Sequence, residues 1–78
     1  MGTRETVLKI VANCLGLTES EIKDNESIGE DLGADSLDQI EIVIALEEEF
    51  EIEISDADAD QADTVGKLIA LVERMVGK

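Results

Sequence analysis

Apolar residues recur at helical spacing in three stretches of the chain and lose that spacing between them. Val7, Ile10, Val11 and Cys14 line one face, with Leu8 and Leu15 at its edge, which predicts a helix over about residues 3–15. Thr3 is placed to cap its start and Gly16 to end it. Residues 16–35 hold no sustained period. Leu17, Ile22, Ile28 and Leu32 are spaced so that each can pin this segment to a core, and it reads as an ordered loop. Within it "TESE" (Thr18 to Glu21) has the form of a capping box around a single turn, and Gly33 can turn left-handed before the next helix. That helix is expected over about 36–51. The "EIEI" of residues 51–54 alternates like a strand, but no second strand exists to pair with it, so it reads as an extended connector. Ser55 then caps a short helix over about 56–61. Val65, Leu68, Ile69, Val72 and Val76 line one face of a last helix over about 64–76. With 78 residues the chain is expected to be one domain, 1–78, of the all-α class, with three long helices and one short one.

The second helix differs from the others in being apolar on two sides. With Leu37 at zero and ~100° per residue, Ile42, Leu46, Phe50 and Val43 fall between roughly 140° and 240°, a core face. Leu37, Ile40 and Ile44 fall between roughly 300° and 360°, on the far side. Glu41, Glu47, Glu48 and Glu51 rim this second stripe. An apolar stripe bordered by acids has the make-up of a docking surface. A bundle that wrapped the helix would bury both sides, and a homodimer seam would look the same.

Charge sharpens that picture. Twenty acidic and six basic residues give a net charge of −14, and between Lys23 and Lys67 there are sixteen Asp or Glu and no Lys or Arg. Such a surface repels nucleic acid and anionic lipid and attracts basic protein surfaces. Phe50 is the only aromatic residue and proline is absent, which favours helices over a sheet. Cys14 has no second cysteine to pair with and no histidine beside which to bind metal, so it reads as a small buried hydrophobe in a reducing, cytoplasmic setting. No leader-like segment opens the sequence and no apolar run approaches a membrane span.

Ser36 stands at the head of the two-sided helix between Asp35 and Asp38. Either Asp35 with Asp38, or Ser36 with Gln39, satisfies the spacing of a capping pair. A serine there is ordinarily a cap. Its alternative role is as an attachment point, because free N–H groups and the helix dipole favour an anion such as a phosphate ester. With no histidine in the chain and no nearby lysine to activate it, Ser36 is a poor catalytic nucleophile. Chemistry at this hydroxyl would have to come from another protein.

The stretch "DLGADSLDQIEIVIALEEEF" closely resembles the acyl carrier proteins of dissociated (type II) fatty acid synthesis. The resemblance continues through "LGL" after the first helix, "EEEFEIEI", and "TVGKLIALVE" near the end. It implies an antiparallel four-helix bundle that catalyses nothing itself. It implies that Ser36, flanked by Asp35 and Leu37, receives 4′-phosphopantetheine from coenzyme A through a phosphopantetheinyl transferase. Acyl groups would then ride on the arm as thioesters. The resemblance also makes the second helix the surface shown to partners, with Leu37, Ile40 and Ile44 as apolar contacts and Asp38, Glu41, Glu47 and Glu48 as ionic ones. Those partners would be basic surfaces of acyltransferases, ketoacyl synthases, reductases and dehydratases, met by a monomer without nucleic acid or stable membrane insertion. A core short of rigid aromatics is expected to admit the acyl chain between the second and last helices, against Val43, Leu46, Ala59 and Leu68.

Four positions depart from the usual pattern: Ile44 where Met is frequent, Ser55 where Pro is frequent, and the less usual Gln39 and Cys14. They leave open a carrier dedicated to one specialised lipid or polyketide. "DADAD" (Asp56 to Asp60) begins like a calcium loop, but Gln61 replaces the required glycine and Lys67 the closing glutamate, so no metal site is expected. The rival of another class is an unmodified acidic helical module, an inhibitor or nucleic-acid mimic, which would need the acids but not Ser36.

Overall fold

The computed structural model describes residues 2–77. It contains four α-helices, α1 (Thr3–Leu15), α2 (Ser36–Phe50), α3 (Asp56–Gln61) and α4 (Val65–Val76), and one 3-10 turn, Glu19–Glu21. Among the described residues there is no strand, only an isolated bridge between Ser27 and Thr64. The fold is the all-α antiparallel bundle of three long helices and one short one.

Each helix starts and stops where local chemistry dictates. Gly2, not Thr3, occupies the cap of α1, and the Glu5 carboxylate accepts from the Gly2 N–H at 3.0 Å. A glutamate at the third helical position satisfies the chain one residue before the threonine, so Thr3 becomes the first helical residue. Gly16, at φ 70°, closes α1 by donating its N–H to Ala12. The single turn forms as its sequence predicts: Glu21 Oε1 accepts from the Thr18 N–H at 2.8 Å. Thr64 is the cap of α4 rather than its first residue, accepting from the Lys67 N–H at 3.2 Å. Helix α2 ends one residue before the expected Glu51, which takes a left-handed conformation with φ 55° and turns the chain out of the helix.

The core is wholly aliphatic. Val7, Val11, Ile42, Leu46, Val65 and Val72 are its most deeply buried side chains, and Phe50 packs only at its margin. No polar or charged residue is buried among the described residues. Helix α1 packs against both α2 and α4, and α3 packs on α4. The groove described below is lined by residues of α2, α3 and the connector, with Leu68 of α4.

The long loop is held firmly to the start of α4. Gly66 donates to Asp24 O at 2.8 Å, Val65 to Glu26 O at 3.1 Å, and Ile28 to Asp63 O at 3.0 Å. Arg4 adds an ion pair to Asp24, tying the loop to α1. Ile22 and Ile28 are buried, and Leu17 and Leu32 pack partly against the core. The four apolar residues thus pin the segment as their spacing predicts, and main-chain bonds do the rest.

Candidate functional site

Asp35 resolves the competition for the cap of α2. Its Oδ1 accepts from the Asp38 N–H at 2.8 Å, and Asp38 Oδ2 accepts in return from the Asp35 N–H at 3.3 Å. Two carboxylates three residues apart are better acceptors than a hydroxyl, and they complete a reciprocal capping box. Ser36 is therefore the first helical residue, exposed, with its hydroxyl released from capping duty. Asp35 and Leu37 flank it at the surface, Leu37 64% exposed.

The two stripes of α2 separate as their angles predict. Ile42 and Leu46 are buried and Val43 and Phe50 half-buried, while Ile40 and Ile44 are 54% and 48% exposed. Leu37, Ile40 and Ile44 thus form a strip left uncovered by the bundle. Glu41 and Glu48 are exposed beside it, and Asp38 is half-buried by its capping role. Glu47 stands apart from the other acids. Its Oε2 accepts from the Ile54 N–H at 2.8 Å, and its main-chain carbonyl accepts from Ile52 at 3.2 Å. That side chain organises the connector after α2, a role that the charge pattern alone did not reveal.

Beside Ser36 lies a groove of about 600 Å³, which Ile40 and Ile44 of the exposed strip also line. Ile28, Ile42, Val43, Ile54, Ala59 and Leu68 give it an apolar lining, and Ser36, Gln39, Asp56 and Asp60 are polar residues on its walls. Of the four residues expected to receive an acyl chain, Val43, Ala59 and Leu68 border this space. Leu46 does not: it is fully buried in the core, packed away from the groove. Helical spacing places Leu46 on the same broad face as Val43 but does not distinguish the middle of the core from its edge. Ile28 and Ile54 were missed, because residues from the loop and the connector carry no periodicity that would assign them to a wall, and Gln39 on α2 was missed because it is polar and belongs to neither apolar stripe.

Cys14 on α1 is half-buried. Burial pushes its thiol above the ordinary value, and the nearby carboxylates of Glu41 and Asp38 push the same way. Both effects favour the protonated thiol. Among the described residues no set of Cys, Asp or Glu side chains is arranged to hold a metal ion, and no helix is long and apolar enough to cross a membrane.

An exposed serine hydroxyl at a helix head, beside an apolar groove, is an arrangement suited to bearing cargo. The comparisons with known proteins agree. A family model described as the phosphopantetheine attachment site matches residues 5–72. An acyl carrier protein from Enterococcus faecalis is similar over 95% of this chain and 99% of its own, with 37% sequence identity and a TM-score of 0.75. The chain belongs to the acyl carrier proteins of the phosphopantetheine-attachment family. It is a carrier and not a catalyst, and its prosthetic group is 4′-phosphopantetheine.

The site suits that group. An exposed hydroxyl is accessible to a loading enzyme. The Ser36 and Leu37 N–H groups at the head of α2, left free by the capping pair, favour a phosphodiester.

Proposed function

We propose that Ser36 is the residue that receives 4′-phosphopantetheine, and that the chain presents growing acyl groups to the enzymes of fatty acid, or related lipid or polyketide, synthesis. The observation that carries this reading is the position of Ser36, freed from capping by Asp35 and bordering an apolar groove. When bound, the arm supplies a terminal thiol on which an acyl group is held as a thioester.

The residues around Ser36 divide the remaining work. Val43, Ala59 and Leu68, with Ile28 and Ile54, offer apolar cover worth ~0.8 kcal/mol for each methylene taken from water. An eight-carbon chain would gain roughly 5–6 kcal/mol gross, reduced by the cost of widening the groove. Leu37, Ile40 and Ile44 give partners a small apolar contact. Asp38, Glu41 and Glu48 meet their cationic side chains, and Glu47 contributes charge while its carboxylate holds the connector. A strip this narrow, rimmed by screened charges, suits brief binding by several enzymes in turn. The partners are a phosphopantetheinyl transferase and the basic surfaces of acyltransferases, ketoacyl synthases, reductases and dehydratases. The free Cys14 thiol fits a cytoplasmic setting.

The test is intact-mass measurement after incubation with coenzyme A and a broad-specificity transferase. One phosphopantetheine is expected on the parent chain and none on Ser36→Ala. Loading of the Ser36→Ala variant, or no loading of the parent, would overturn the assignment.

A further inference from the structure

Gln39 lies one turn after Ser36 on α2, exposed to solvent but with its amide turned to the loop. Its Nε2 donates to the main-chain oxygen of Ala34 at 3.2 Å. Ala34 in turn donates its N–H to Ile28 O at 3.0 Å, closing the turn formed by residues 28–34. That turn is tightly wound, since both the Asp31 and Leu32 N–H groups donate to Ser27 O. Gly29, inside it, admits the amide: a Cβ built there would lie 3.2 Å from Gln39 Nε2 and 3.8 Å from Ala34 O. Ile28 is itself bonded to Asp63, just before α4. A continuous path therefore runs from α4 through Ile28 and Ala34 to the Gln39 amide on α2.

We infer that Gln39 is a positioning residue for Ser36: its amide staples the turn formed by residues 28–34 to α2, and so fixes the approach of the chain to the serine that the loading enzyme must engage. The inference rests on Ser36 being the attachment residue. Asp35 fixes the helix end from within, through the bond to the Asp38 N–H. Gln39 supplies the second restraint, from the helix back to the residue before the cap. Without it the segment that leads into Asp35 and Ser36 loses its side-chain tie to α2, and the transferase must order that segment on binding. The serine hydroxyl is unaltered, so the defect falls on recognition rather than on transfer.

Steady-state loading of the full chain by a broad-specificity transferase with coenzyme A tests this, with Ser36→Ala as the unloaded control. Gln39→Ala and the near-isosteric Gln39→Met should each raise the transferase KM for the chain roughly three- to tenfold and leave kcat within about twofold, as expected for one lost hydrogen bond. Gly29→Ala crowds the amide and should produce a similar rise alone but little further change when combined with Gln39→Ala. Thermal melts of each variant separate this from general destabilisation, and in the parent the Ala34 amide, which donates to Ile28 O, should exchange more slowly than in Gln39→Met. Failure of the parent to load would remove the reading of Ser36 itself. A parent that loads while both Gln39 variants match its KM and its amide exchange would overturn the positioning role alone, as would fully additive effects of Gly29→Ala and Gln39→Ala.

Discussion

Asp35 and Asp38 cap one another, each carboxylate taking the other's main-chain N–H at 2.8 and 3.3 Å. The serine between them is left with no structural task. Removing the stronger half of the pair, Asp35→Ala, should destabilise the fold by about 1 kcal/mol, while Asp35→Asn, which keeps an acceptor, should cost much less. Urea denaturation of the three proteins reads the difference. Equal midpoints for Asp35→Ala and the parent would mean that another group caps α2.

The two faces of α2 should answer differently to truncation. Leu46→Ala empties a fully buried position and should cost about 2–5 kcal/mol, a large share of the stability of so small a domain. Ile44→Ala removes a side chain already 48% exposed and should shift the melting temperature little. Its effect should appear instead as weaker binding to a ketoacyl synthase or transferase, measured by titration. A large loss of stability in Ile44→Ala would mean that the strip belongs to the core.

The Arg4–Asp24 pair sets an acid limit on the anchoring of the loop. The hydrogen bond from Arg4, with its charge, holds the Asp24 carboxyl below its ordinary 3.8. A carboxyl lowered by folding stabilises the folded state in full above its ordinary value, and that contribution is lost as pH falls through the lowered one. Asp24→Asn should therefore melt below the parent at neutral pH, and the gap should close as pH drops beneath the ordinary Asp range. Both side chains are about half exposed, so the gap should be small and should shrink in salt. A gap that stays constant across that range would show that the pair contributes nothing.

Self-repulsion among sixteen acids uninterrupted by a base gives a fourth expectation. Millimolar Mg²⁺ or Ca²⁺ should raise the melting temperature relative to sodium chloride at matched ionic strength, because divalent ions relieve that repulsion more strongly. Superimposable melts would count against it. The effect needs no dedicated cage, and the acids around Asp56 to Asp60 do not form one.

Most of the architecture is legible in the sequence because each helix carries its own periodicity and its own end signals. The face formed by Val7 and Val11, the two stripes of α2, and the run Val65, Leu68, Ile69 and Val72 all lie where 3.6 residues per turn places them. Ends decided by near-equal chemical rivals are less readable. Glu5 serves Gly2 and not Thr3, and two aspartates displace Ser36 and Gln39 from the cap of α2. Contacts made through space leave no local trace at all. Nothing in the spacing announces that Glu47 holds Ile54, that Gln39 reaches Ala34, or that Ile28 and Ile54 enclose the groove that Leu46 does not reach.

All of α2 lies within the segment that contains no cation, while Arg4 and Lys9 sit on α1 and Lys67 and Arg74 on α4. The molecule is thus electrically lopsided as well as negative. In the field of a basic surface it should rotate before it touches, so that chance collisions become encounters with α2 leading. A partner would then have little searching to do, since the serine rides on the end of the helix that arrives first.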